Sequence, residues 1–116
     1  MNPKRLKRVG DLIREEIADL LLRKIKDPRI GLVSITEVEV SSNLRRAKVY
    51  YSVIGSEEDK IRAAQGLGSA LGYIKRELGF RLQLKFMPDI VFEYDPTLEY
   101  GSRIEQILQG LKEGDS

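Results

Sequence analysis

The carboxylates that come closest to a catalytic spacing in this chain are Asp89, Glu93 and Asp95. On an extended strand they fall at two-residue phase and share one face, an arrangement that could hold Mg²⁺ through oxygen ligands. The same spacing describes a water-facing stripe opposite Ile90, Phe92 and Tyr94, and this is the stronger reading. The sequence contains no Cys and no His, which removes thiolate and imidazole zinc ligands, disulfides, cysteine nucleophiles and histidine acid–base chemistry together. It also lacks a phosphate-binding glycine loop and a nucleophile–base pair. Neither a catalytic centre nor a metal or other cofactor is expected.

The basic residues are more informative. Lys4, Arg5, Lys7 and Arg8 crowd the first turns of a helix, where the dipole disfavours each cation by about 0.3–1 kcal/mol. Lys7 can pair with Asp11 at i+4, whereas Lys4 and Arg8 form a like-charge pair. Arg45, Arg46 and Lys48 make a second cluster; Lys75 and Arg76, extended by Arg81 and Lys85, make a third. The formal net charge of +2 conceals this distribution. Residues 1–30 carry nine cations against five carboxylates, residues 31–88 nine against six, and residues 89–116 two against seven. A basic body with an acidic end can orient against a polyanion, and three clusters could supply several phosphate contacts. Tyr50, Tyr51, Tyr73 and the phenylalanines Phe80, Phe86 and Phe92 read mostly as core, not as a base-stacking platform.

These side chains need elements to position them. At 116 residues, 41% apolar and 33% charged, the chain fits one globular domain and not two. Asn2 before Pro3 starts a helix whose stripe, Leu6, Val9, Ile13, Ile17, Leu20, Leu21 and Ile25, runs until Asp27-Pro28 and Gly31. Residues 32–40 and 47–54 read as an antiparallel hairpin turned at Ser41-Ser42-Asn43. Val33 and Ile35 are out of phase with Val38 and Val40, which calls for a bulge or a partly apolar outer face. Ser56, followed by Glu57, Glu58 and Asp59, caps a second helix. Gly66, Gly68 and Gly72 then cost roughly 3 kcal/mol relative to alanine in a continuous helix, so two helices meeting at a kink near Ser69 and Ala70 are expected, the second ending at Gly79. A third strand lies within residues 85–95, and Ser102-Arg103-Ile104-Glu105 opens a short terminal helix. This gives an α+β fold: a three-stranded sheet covered by helices on one face, over residues 1–112, with 113–116 a flexible tail. No apolar stretch approaches signal-peptide or membrane-span length, so a cytoplasmic protein with no membrane contact is expected.

The order helix, strand, strand, helix, kinked helix, strand resembles a type II KH domain, and the sequence resembles the ribosome-binding factor A family over nearly its whole length. The resemblance rests on Arg5-Leu6-Lys7-Arg8-Val9, Lys26-Asp27-Pro28-Arg29-Ile30, Val38-Glu39-Val40-Ser41, Ala47-Lys48-Val49-Tyr50-Tyr51-Ser52, Ala70-Leu71-Gly72-Tyr73-Ile74-Lys75-Arg76 and Pro88-Asp89-Ile90-Val91-Phe92-Glu93-Tyr94-Asp95. In that family an Ala-x-Gly kink, matched by Ala70 and Gly72, replaces the Gly-x-x-Gly loop with which ordinary KH domains clamp single strands. The resemblance implies a non-catalytic assembly factor, a monomer when free. Such a factor binds the small (30S) ribosomal subunit and 16S rRNA, assists late maturation, takes part in cold adaptation and has a functional link to an assembly GTPase. Lys4, Arg5, Lys7, Arg8, Arg45, Arg46, Lys75, Arg76, Arg81 and Lys85 are the expected phosphate contacts, with Ser69, Ala70 and Gly72 shaping the approach. The competing reading is a KH-like protein-interaction adaptor that makes no direct RNA contact.

Overall fold

A computed structural model describes residues 2–97. Helix α1 spans Pro3–Arg23, a 3-10 turn Pro28–Ile30, strand β1 Val33–Val40, strand β2 Arg46–Val53, helix α2 Glu57–Leu82 and strand β3 Asp89–Tyr94. The Asn2 side chain accepts the Lys4 N–H at 3.0 Å, with Pro3 at the first helical position, where its missing donor leaves nothing unpaired. Ser56 and Asp59 form a reciprocal capping box at the start of α2. The expected terminal helix and tail lie outside the described residues.

The sheet order is β1-β2-β3. β1 and β2 are antiparallel, with a register shift between Ile35 and Glu37. That bulge resolves the phase conflict read in the sequence: it puts Val33, Ile35, Val38 and Val40 on the same face as Ala47, Val49, Tyr51 and Val53. β3 lies parallel to β2, Arg46 pairing with Asp89 and Tyr51 with Tyr94, because α2 carries the chain back along the sheet before β3 begins. Ile90, Phe92 and Tyr94 thereby join the inner face. Glu37, Glu39, Lys48, Tyr50, Val91 and Glu93 belong to the outer, uncovered face.

One expectation needs correcting. Residues 57–82 form a single unbroken α-helix, with no junction at Ser69, Ala70 or Gly72, and the helix continues past Gly79 to Leu82. The left-handed Gln83 (φ 50°) caps it instead. The physical reason is that Ala63, Gly66, Leu67, Ala70, Ile74 and Leu78 are buried at spacings of three and four, one continuous side of one helix. Its first half covers Ile30, Tyr51 and Val53; its second half covers Ala47, Val49 and Ile90 with Ile13, Ile17 and Leu20 of α1. Tertiary burial of that face outweighs the local propensity of the glycines. Each large, fully buried aliphatic here contributes about 1.5–3 kcal/mol.

Two contacts show how closely the layers meet. A Cβ on Gly10 would stand 2.6 Å from the Val38 carbonyl oxygen, so α1 rests directly on the β1 backbone. A Cβ on Gly66 would stand 2.7 Å from an Ile30 methyl group, where the 3-10 turn packs on α2. That turn is tied locally, since Asp27 accepts the Arg29 backbone N–H at 2.9 Å and its guanidinium at 2.7 Å. Both bonds hold the Asp27 carboxyl below its ordinary range, the guanidinium contributing more.

Candidate nucleic-acid interface

Three elements converge on the end of the sheet where β1 finishes and where β2 and β3 begin. α1 runs antiparallel to β1: Gly10 lies over Val38 and Val40, while Ala18, Leu21 and Ile25 share a groove with Val33 and Ile35. The seven residues before Gly10 therefore extend about 10 Å at a helical rise of 1.5 Å per residue, past the end of β1. Lys4, Arg5, Lys7 and Arg8, all exposed, project at that pole. Lys4, Arg5 and Arg8 line an open cleft of about 570 Å³ with Asn2, Val9 and Leu12.

The β1–β2 turn presents the next pair. Asn43 accepts the Ser41 hydroxyl at 2.7 Å and the Arg45 N–H at 3.0 Å, and the Arg46 N–H donates to Ser41 Oγ at 3.0 Å. Leu44 takes the left-handed conformation that closes the turn (φ 59°). Arg45 and Arg46 are thus exposed on a hydrogen-bonded turn, and the Arg45 carbonyl accepts the N–H of Asp89 at 2.8 Å. Lys75 reaches Asp89 at 3.6 Å, which places the C-terminal half of α2 at the same corner. Arg76 and Lys85, both exposed, complete the set.

Nine of the ten basic residues singled out in the sequence therefore lie toward one pole. Arg81 does not belong with them. Its guanidinium donates to Glu16 at 2.8 Å and to Asp19 at 2.7 Å, joining α2 to α1. Its hydrogen bond lowers the Asp19 carboxyl pKa, and those to Asp19 and Glu16 raise its own. Arg81 is an internal tie, its charge already neutralised. Of the expected kink residues, Ala70 is buried, while Ser69 and Gly72 are exposed; a Cβ on Gly68, Gly72 or Gly79 would meet nothing within 4 Å.

The carboxylate trio is dispersed. Asp89 faces Lys75, Glu93 lies 4.0 Å from Lys48, and Asp95 accepts the Thr36 hydroxyl at 2.8 Å. Hydrogen bonds from Thr97, first, and from Thr36 hold Asp95 below the ordinary carboxylate range. Among the described residues no group of three or more acidic side chains is placed to hold a metal ion, and no helix is long and apolar enough to cross a membrane.

The aromatic residues also depart from the sequence reading. Phe92 packs against the core and meets Tyr51 edge to face at 6.3 Å. Phe80 and Phe86 are 71% and 78% exposed. Apolar character made them look internal, but Phe80 falls on the flank of α2 away from the buried stripe, and Phe86 lies on the connection to β3.

The family model for ribosome-binding factor A matches residues 5–108. Ribosome-binding factor A of Halothermothrix orenii is 46% identical over 97% of this chain and 93% of its own length. The crystal structure of ribosome-binding factor A from Thermus thermophilus has a similar fold, with a TM-score of 0.67 at 20% identity, covering 77% of this chain and 94% of that one. A homology model of the Thermus thermophilus ribosome-binding factor A, fitted into the cryo-EM map of a 30S complex of the factor, gives a TM-score of 0.61 at 22% identity, covering 75% of this chain and 91% of that one. With its helices on one face of a mixed three-stranded sheet, its cations at one pole and this match over most of its length, the chain belongs to the ribosome-binding factor A family.

Proposed function

We propose that this protein is a non-catalytic assembly factor that docks its basic pole onto folded 16S rRNA of the small (30S) ribosomal subunit during late maturation. The observation that carries this reading is the convergence of Lys4, Arg5, Lys7, Arg8, Arg45, Arg46, Lys75, Arg76 and Lys85 from α1, the β1–β2 turn, α2 and the α2–β3 connection onto one end of the sheet. Family membership and the 30S complex of the Thermus thermophilus factor support the same partner. No bond is made or broken; the protein acts by binding one subunit conformation more tightly than its competitors. Such selection matters most in the cold, where misfolded RNA helices persist, and it suits a step shared with an assembly GTPase.

Phosphate contacts release counterions, so affinity for 30S particles should fall steeply with salt. Replacing Arg45, Arg46 and Lys75 together by Ala should weaken co-sedimentation with free 30S subunits. It should also flatten the plot of log K against log salt by about 0.7–0.9 for every phosphate that the variant leaves unneutralised. Arg81→Ala should leave that slope unchanged. An unaltered slope in the triple variant would reject the assignment.

A further inference from the structure

Tyr73, Arg76 and Phe80 recur at spacings of three and four, forming one ridge on α2 beside the buried stripe. The Arg76 guanidinium lies over the Tyr73 ring at 5.9 Å. Phe80 follows one turn later, 71% exposed, and the connection to β3 adds Lys85, whose ammonium lies 5.7 Å from the centre of the 78% exposed Phe86 ring. Along the chain from Tyr73 to Phe86, ring and cation therefore alternate. Among the described residues neither phenylalanine joins the core, and both leave most of their apolar surface in water although the core lies one helix face away.

From this geometry we infer that the Tyr73–Phe86 ridge is a stacking site for unpaired RNA nucleotides. Bases stack on the exposed rings of Phe80 and Phe86, and Arg76 and Lys85 take the adjoining phosphates. Charge favours a polyanion over an apolar protein helix as the occupant, because each exposed ring has a cation within one turn or at the next residue. Interleaved cations and aromatic rings are the chemistry by which single strands are held without sequence preference. This deepens the proposed RNA docking and rests on it: the basic pole supplies general attraction to phosphate, while the ridge separates unpaired from paired RNA.

The experiment compares two probes, a short unstructured single strand and a blunt duplex of the same sequence, binding the full chain. Phe80→Ala and Phe86→Ala should each lower single-strand affinity about 5- to 100-fold and leave duplex affinity and both salt slopes unchanged. The chain contains no tryptophan, so Phe86→Trp introduces a single indole. This variant should keep the affinity, and its fluorescence should be quenched by the single strand and not by the duplex. Equal losses on both probes, or an indole indifferent to the single strand, would overturn the stacking site. So would phenylalanine variants that release 30S particles yet hold the single strand normally, since the ridge would then face a ribosomal protein. A wild-type chain that binds neither probe at low salt would instead overturn the RNA reading itself.

Discussion

The two ends of the sheet are built on opposite terms. Where β2 ends, α2 begins with Ser56, Glu57, Glu58 and Asp59, a reciprocal capping box and three carboxylates against the positive end of the dipole. Nearby, Gly66 lets the Asp27–Ile30 turn press onto the helix. At the other end α1 has an equally good cap, Asn2 with Pro3, but no acidic residue in its first turn and four cations in its first two. There Gly72 and Gly79 face open space, and two phenylalanines stand in water. Among the described residues, favourable local choices gather at one pole and unfavourable ones at the other. On the proposed function, that division separates residues serving the fold from residues serving a partner.

Substitutions at the packed contacts test the first half of this contrast and should have the largest effect. Gly66→Ala and Gly10→Ala should each lower stability in a urea titration by about 1–3 kcal/mol through overpacking. Gly10→Ala should be the more damaging, because its methyl would meet a backbone carbonyl and not a side chain. Gly68→Ala and Gly72→Ala should do the reverse, raising stability by about 1 kcal/mol each while weakening 30S binding. A pair of variants that gained stability and kept full binding would show that the open face of α2 has no partner. Smaller again, Lys4→Glu and Arg5→Glu should each stabilise α1 by about 0.3–1 kcal/mol, measured by the same titration, and should reduce binding.

Acidification sharpens the contrast most gently. Asp27, Asp59 and Asp95 are held below the ordinary carboxylate range, Asp27 by the Arg29 guanidinium, Asp59 by the Ser56 backbone N–H and Asp95 by Thr97. All three lie toward the packed end. A depressed folded-state pKa means that the unfolded chain binds protons first. The stability these groups contribute is therefore intact above their unfolded values near about 4 and is lost as pH falls through the lower folded values. The urea midpoint should decline below about pH 4, and Asp27→Asn should make that decline shallower.

Much of the fold was legible because local rules and tertiary packing agree there. The Asn2-Pro3 and Ser56 caps were readable from residue type, and the period-2 mismatch between Ile35 and Val38 called for a bulge or a partly apolar outer face, of which the register shows the bulge. Where the two conflict, sequence alone misleads. Glycine propensity argued for a break at Ser69 and Ala70, but the continuous stripe from Ala63 to Leu78 prevails. The type of each basic residue was plain, yet their gathering depends on β3 lying parallel to β2 and on α1 overhanging β1, neither of which any local pattern encodes. Arg81 looked like its neighbours until its two carboxylate partners on α1 were in place. Phe80 and Phe86 looked like core because hydrophobicity says nothing of which side of a helix faces water.

The tie between Asp95 and the bulge residue Thr36 fixes where the main chain departs from β3. That exit lies at the far end of the strand from Asp89, whereas Asn2 and Pro3 sit beside the arginines and lysines. A fluorophore carried by residue 97 would therefore stand away from the basic pole, and one carried by Asn2 would stand against it. The direction of a single strand thus decides which end of the described fold can carry a label clear of the cations.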